Sequence, residues 1–96
     1  MALSDDERDL LRLVAQAGKP VWMSDFFPVL NPAEPGMDEN HPGHEAWTER
    51  QIAWYGVSLS LWKQDLVRVV VPANGSQGDL VEPTAPGRAA LAAAGA

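Results

Sequence analysis

The sequence predicts a single α+β domain in which helices pack on a small antiparallel sheet, and three observations lead to that class. Ser4 followed three residues later by Glu7 is a helix-start signal, and the residues after it are apolar at helical spacing. Thr48 with Gln51 repeats the signal before a second, longer helical stretch. From residue 66 the pattern turns β-branched around an Asn74-Gly75 turn, the mark of a hairpin. At 96 residues the chain builds one core, because a second would leave each half with too little buried surface to offset its ordering entropy.

The first helix is predicted over residues 4–17. Ser4 caps it, Asp5, Asp6 and Glu7 suit the positive end of its dipole, and Leu10, Leu11, Val14 and Ala17 form its buried stripe. Gly18 and Pro20 end it. Val21, Trp22 and Met23 read as a short edge strand, followed by a helix over 24–30 capped by Ser24 and kept short by Pro28. Residues 31–46 form an extended loop, with Pro32, Pro35, Gly36, Pro42 and Gly43 and almost no apolar periodicity. The third helix is predicted over 48–64, with a Thr48–Gln51 capping box and a Trp47–Ile52 hydrophobic staple. Its inward face is expected to be Ile52, Tyr55, Gly56, Leu59, Trp62 and Leu66, at separations of three and four. Strands over 66–71 and 79–82 make the hairpin, and Thr84, Pro86 and Gly87 introduce an alanine-rich helix near 86–94.

Composition removes several function classes. Seven Lys and Arg stand against 13 Asp and Glu, a net charge of −6, which disfavours broad adhesion to nucleic acid or anionic lipid. There is no cysteine, so neither a disulfide framework nor a thiol nucleophile exists, and a cytoplasmic location is expected. Residues 1–10 are acidic where a signal peptide is basic and then apolar, and no run approaches the roughly 20 apolar residues of a membrane span. No membrane role is expected. The apolar fraction is 46%, but 14 of those residues are Ala, so the core must come from Leu, Val and the four Trp.

Helix, short strand, helix, helix, hairpin, helix is the order of a winged helix-turn-helix domain. The stretch Leu59-Ser-Leu-Trp-Lys-Gln-Asp-Leu-Val-Arg-Val-Val70 resembles the end of a recognition helix running into the first wing strand of MarR-type and PadR-type regulators. The tail Glu82-Pro-Thr-Ala-Pro-Gly-Arg-Ala-Ala-Leu91 is similar to the start of the helix after the wing in those families, with Ala85 inserted between Thr84 and Pro86. The resemblance covers about the last third of the chain and implies a winged-helix-like fold, a three-helix core with a wing and a C-terminal helix, and DNA binding. Two departures count against DNA. The segment between the second and third helices is far longer than an ordinary helix-turn-helix turn. The wing tip, residues 72–79, holds neither Lys nor Arg to meet phosphate.

Three sets of residues bear on function. Trp54, Val57 and Leu61 give the third helix a second apolar side, which either the long loop and Met37 or the C-terminal helix covers, or a protein partner occupies. In a homodimer, residues 88–96 are expected to assist. Arg50, Gln51, Ser58 and Lys63 are the side chains that a DNA-reading third helix presents. Across residues 46–78, however, the local balance is only +1, from three cations against Glu49 and Asp65. His41 and His44, near Asp38, Glu39 and Glu45, are weak metal candidates, since Pro42 and Gly43 break any helical ligand spacing. No nucleophile motif accompanies them, and the Asn74–Gly78 turn lacks the Lys and Ser/Thr of a phosphate loop.

The expectation is therefore a non-enzymatic interaction module without cofactor, binding a protein or itself through Trp54, Val57, Leu61 and the 31–46 loop. The alternative is a small dimeric DNA-binding regulator, and the third reading is a metal-dependent enzyme or sensor.

Overall fold

The structure, a computed structural model, describes residues 3–94 and is of mixed α+β class. Helix α1 (Asp5–Gln16) begins as its sequence requires. Ser4 N–H donates to Glu7 Oε1 (2.9 Å), Glu7 N–H donates to Ser4 Oγ (3.1 Å), and two otherwise orphaned donors are satisfied together. Leu10, Leu11 and Val14 face inward and are fully buried. Gly18, with φ +69°, lets the chain reverse toward the sheet.

The expected strand over 21–23 contracts to one residue. Val21 exchanges two backbone hydrogen bonds with Val81 (2.9 and 2.8 Å), after which the chain turns into a 3-10 segment (Met23–Phe26) and α2 (Phe27–Leu30). Ser24 does not cap this helix, because it already lies within the 3-10 turn that Trp22 opens. Pro28 sits at the second position of α2, where its missing N–H has no partner to lose.

Helix α3 spans His44–Lys63 and starts one turn before Thr48, so the predicted capping box and staple do not form. Their residues serve elsewhere. Trp47 Nε1 donates to the Asn31 carbonyl (3.0 Å), while Asn31 Nδ2 donates to the Trp47 carbonyl (3.2 Å) and to Gln51 Oε1 (2.9 Å), so the 31–43 loop is closed at its base. At the other end, Asp65 adopts φ +61°. Its N–H reaches the Trp62 carbonyl and the Leu66 N–H reaches the Leu61 carbonyl, both at 3.0 Å, which forms a Schellman stop without glycine.

Strands β1 (Val67–Val71) and β2 (Leu80–Pro83) pair antiparallel, with a register shift between Val69 and Val71 and an Arg68–Glu82 ion pair across them. Val21 extends the sheet on the free side of β2. Helix α4 (Ala85–Ala93) is capped by Thr84, whose hydroxyl accepts from Gly87 N–H (3.0 Å) and donates to the Asp65 carbonyl (2.6 Å). The last two residues of the segment expected to assist a dimer, 95 and 96, lie outside the described residues. The core joins Leu10, Leu11, Val14, Phe27, Trp54, Leu61, Leu66, Val67, Val81 and Leu91. No described helix is long and apolar enough to cross a membrane.

Two polar ties fasten α1 to α3. Glu7 Oε2 accepts from Ser60 Oγ (2.8 Å) and Gln64 Nε2 (2.5 Å), and Arg50 Nη1 lies 3.3 Å from Asp6 Oδ2. The hydrogen bond from the Ser4 backbone holds the Glu7 carboxyl below its ordinary pKa; partial burial opposes this, and the bonds from Ser60 and Gln64 add to it.

Two outcomes follow from this packing. A Cβ at Gly87 would lie 2.1 Å from the Leu66 carbonyl oxygen, so Gly87→Ala should cost about 1–3 kcal/mol in urea unfolding by forcing α4 away from the end of α3. Because the folded pKa of Glu7 is depressed, its contribution is complete above the ordinary glutamate range of about 4.3 and is lost as pH falls through the folded value. Unfolding midpoints measured from neutral to acid pH should thus fall less steeply in Glu7→Gln than in the parent protein.

Candidate functional site

The third helix is turned about its axis relative to expectation. Trp54 and Leu61 are buried, at 3% and 0% exposure, and Val57 is half-buried against the same core. Ile52, Tyr55, Leu59 and Trp62, expected inside, are exposed by 67%, 59%, 38% and 53%. Apolar residues occupy both sides of α3, so hydrophobic periodicity alone does not select the buried one. Polar ties on both flanks select it. Arg50, Ser60 and Gln64 bind α1 on one side and Gln51 binds Asn31 on the other, which leaves only the Trp54–Leu61 side facing the core. The guanidinium of Arg50 also lies 5.1 Å from the centre of the Trp54 ring, a cation–π contact that covers the edge of the core.

Trp54 and Leu61 are therefore committed to the core, and the exposed apolar residues of α3 lie toward its opposite face. That face borders a groove of about 300 Å³ between α3, the Trp22–Phe27 segment and the sheet. Tyr55, Leu59 and Trp62 form one wall and Trp22, Met23 and Phe27 the other. Its polar atoms are largely engaged within the chain. Trp22 Nε1 donates to the Gly78 carbonyl (3.0 Å), Ser58 Oγ donates to the Tyr55 carbonyl (2.6 Å), and Asp79 Oδ1 accepts from Ala73 N–H (2.6 Å). What remains is an apolar trough with aromatic walls. The 31–43 loop does not line it, since its base is clamped beside Trp47 and Gln51 on another side of α3.

The DNA-reading set does not converge. Arg50 is paired with Asp6, Gln51 accepts from Asn31, Ser58 is buried with its hydroxyl turned to its own helix, and Lys63 alone is exposed without an ion pair among the described residues. The two histidines separate as well. His41 accepts from Gly43 N–H at Nδ1 (3.0 Å) and has Nε2 3.0 Å from Glu34 Oε2. His44 opens α3 with its ring 6.3 Å from that of Trp47. Among the described residues, no three His, Asp or Glu side chains gather as a metal site.

One sequence signal did point to the true outer face. Glu45, Glu49, Ile52, Gly56, Leu59 and Lys63 follow one another at separations of four and three, so the supposed inward stripe begins and ends in charge. No known protein family, curated protein or solved structure matches this chain.

The inverted helix makes a direct stability contrast. Trp54→Ala should lower the unfolding free energy by about 3–5 kcal/mol, the range for an aromatic removed from a core. Trp62→Ala should change it by less than about 1 kcal/mol. Paired urea titrations followed by circular dichroism measure both.

Proposed function

We propose that this chain is a non-enzymatic winged-helix interaction module that binds protein through the outward face of α3 and the adjoining groove. The single observation that carries the reading is the run of Ile52, Tyr55, Leu59 and Trp62 exposed beside an aromatic-walled trough. Large apolar residues contiguous on a surface mark a contact site, and aromatic anchors beside a pocket are where binding energy concentrates. The element order and the Val21 bridge beside β2 support the winged-helix assignment, since a short strand after the first helix then pairs with the returning wing strand. The lack of cysteine supports a cytoplasmic setting.

The alternative, a DNA-binding regulator, has the element order and the resemblance of residues 59–70 and 82–91 in its favour. Its charge is against it. A helix that reads bases in a phosphate-lined groove needs polar and cationic side chains outward, and here Lys63 is the one cation on a face that otherwise carries Glu45, Glu49 and apolar residues.

Two measurements separate the readings. In fluorescence anisotropy with mixed-sequence duplex DNA at low salt, the protein should leave the signal unchanged; binding that weakens as salt rises and is reduced in Lys63→Ala would replace this reading with the regulator. In affinity capture from a cell extract, Leu59→Asp should lose at least about ten-fold of any specifically retained protein while keeping the parent unfolding midpoint, because a charge on an exposed face disrupts docking and spares the core.

A further inference from the structure

The outward stripe of α3 carries more information than its apolarity. Taken along the helix it is Glu45, Glu49, Ile52, Gly56, Leu59 and Lys63, and all six are exposed. Glu49 and Lys63 stand seven residues, or about two helical turns, on either side of Gly56. Ile52 lies four residues before Gly56 and Leu59 three after it. Opposite charges at the ends and apolar groups between them, spaced almost evenly about a central point, make the stripe complementary to itself when reversed.

From this self-complementarity we infer that the occupant of the face is a second copy of the same chain, with the two α3 helices packed antiparallel and crossing at Gly56 on a twofold axis. The inference rests on the reading of this face as the contact surface and names what covers it. Antiparallel pairing sets Glu49 of each copy opposite Lys63 of the other, with Glu45 one turn further out. Ile52 of one helix then lies beside Leu59 of its twin. Parallel pairing would oppose Glu49 to Glu49 and Lys63 to Lys63, so the charges choose the antiparallel arrangement. Gly56 suits the crossing point. A Cβ built there meets nothing within 4 Å in the single chain, so the position is open to a neighbour, and the missing side chain lets two helix axes approach closely.

The charges at this face are also free to be used. Among the described residues Glu45, Glu49 and Lys63 are in no ion pair, nor are Lys19 and Arg88, whereas Arg8, Arg12, Arg50 and Arg68 are each paired with a carboxylate. A twofold dimer is the commonest closed assembly, and the same patch serves both partners. Each copy carries a net charge of −6, so the contact must rely on the local alternation of charge and not on overall attraction.

Sedimentation equilibrium on the full chain tests this through charge exchange. The parent protein should dimerise, and Glu49→Lys and Lys63→Glu should each weaken the dimer by about ten-fold, since both ends of the symmetric contact then carry like charges. The double variant should regain the parent association. An equimolar mixture of the two single variants should form a heterodimer, because every facing pair is then Lys against Glu; this also establishes that each single variant is folded. A parent protein that stays monomeric at all concentrations overturns the inference, as does a dimer indifferent to both reversals or a mixture that does not associate. Those failures leave the interaction reading to the Leu59→Asp capture, where a partner of different sequence held by the same face would sustain it.

Discussion

The rotation of α3 about its own axis is the constraint on which the rest of this structure depends. The helix is apolar on two sides, and burial of either would satisfy the hydrophobic effect to a similar degree. Directional groups break the tie. Glu7, already bound to the first turn of α1, also accepts from Ser60 and Gln64, and Arg50 reaches Asp6 one residue earlier on the same helix. Exposed pairs of this kind add little to stability singly. Their effect here is on orientation, since they occupy one flank of α3 and bring Trp54 and Leu61 against Leu10, Leu11 and Val14. The apolar residues left outside become the surface on which function must be sought.

A second clamp holds the opposite flank. Asn31 gives its carbonyl to Trp47 and its amide to the Trp47 carbonyl and Gln51, so one side chain closes a loop rich in proline and fixes the start of α3 at the same time. The loop is thereby kept off the groove. Aromatic walls from two distant segments, Trp22 and Phe27 on one side and Tyr55 and Trp62 on the other, face each other across open space. Trp22 adds a tether to the hairpin through Gly78, which joins the three margins of the trough.

The junction of α3, β1 and α4 is closely packed. Asp65 takes a left-handed backbone where glycine is usual, and the Thr84 hydroxyl receives an N–H from α4 while donating to the Asp65 carbonyl. Leu66 gives its carbonyl to Thr84 N–H at 3.0 Å and passes so close to Gly87 that no side chain fits there. One turn thus sets where α3 stops, where β1 leaves it and where α4 begins.

Much of this was legible in the residues. The Ser4–Glu7 box, Gly18, the turn at Asn74-Gly75 and the Thr84 cap are local devices, set by residues close by in the chain, and each appears close to where its sequence places it. The errors share a cause. Thr48 and Gln51 have the spacing of a helix start, yet the helix begins at His44 because Trp47 and Gln51 find a partner in Asn31, sixteen and twenty residues away. Ile52, Tyr55, Leu59 and Trp62 have the spacing of a buried stripe, yet they face outward because Glu7 captures Ser60 and Gln64 from more than fifty residues away. The sequence by itself determined the α+β class, the order of elements and the fact that α3 has two apolar sides. Only the tertiary structure decided which side is core and which is surface, since periodicity records that a face is apolar and only long-range hydrogen bonds record what that face is turned toward.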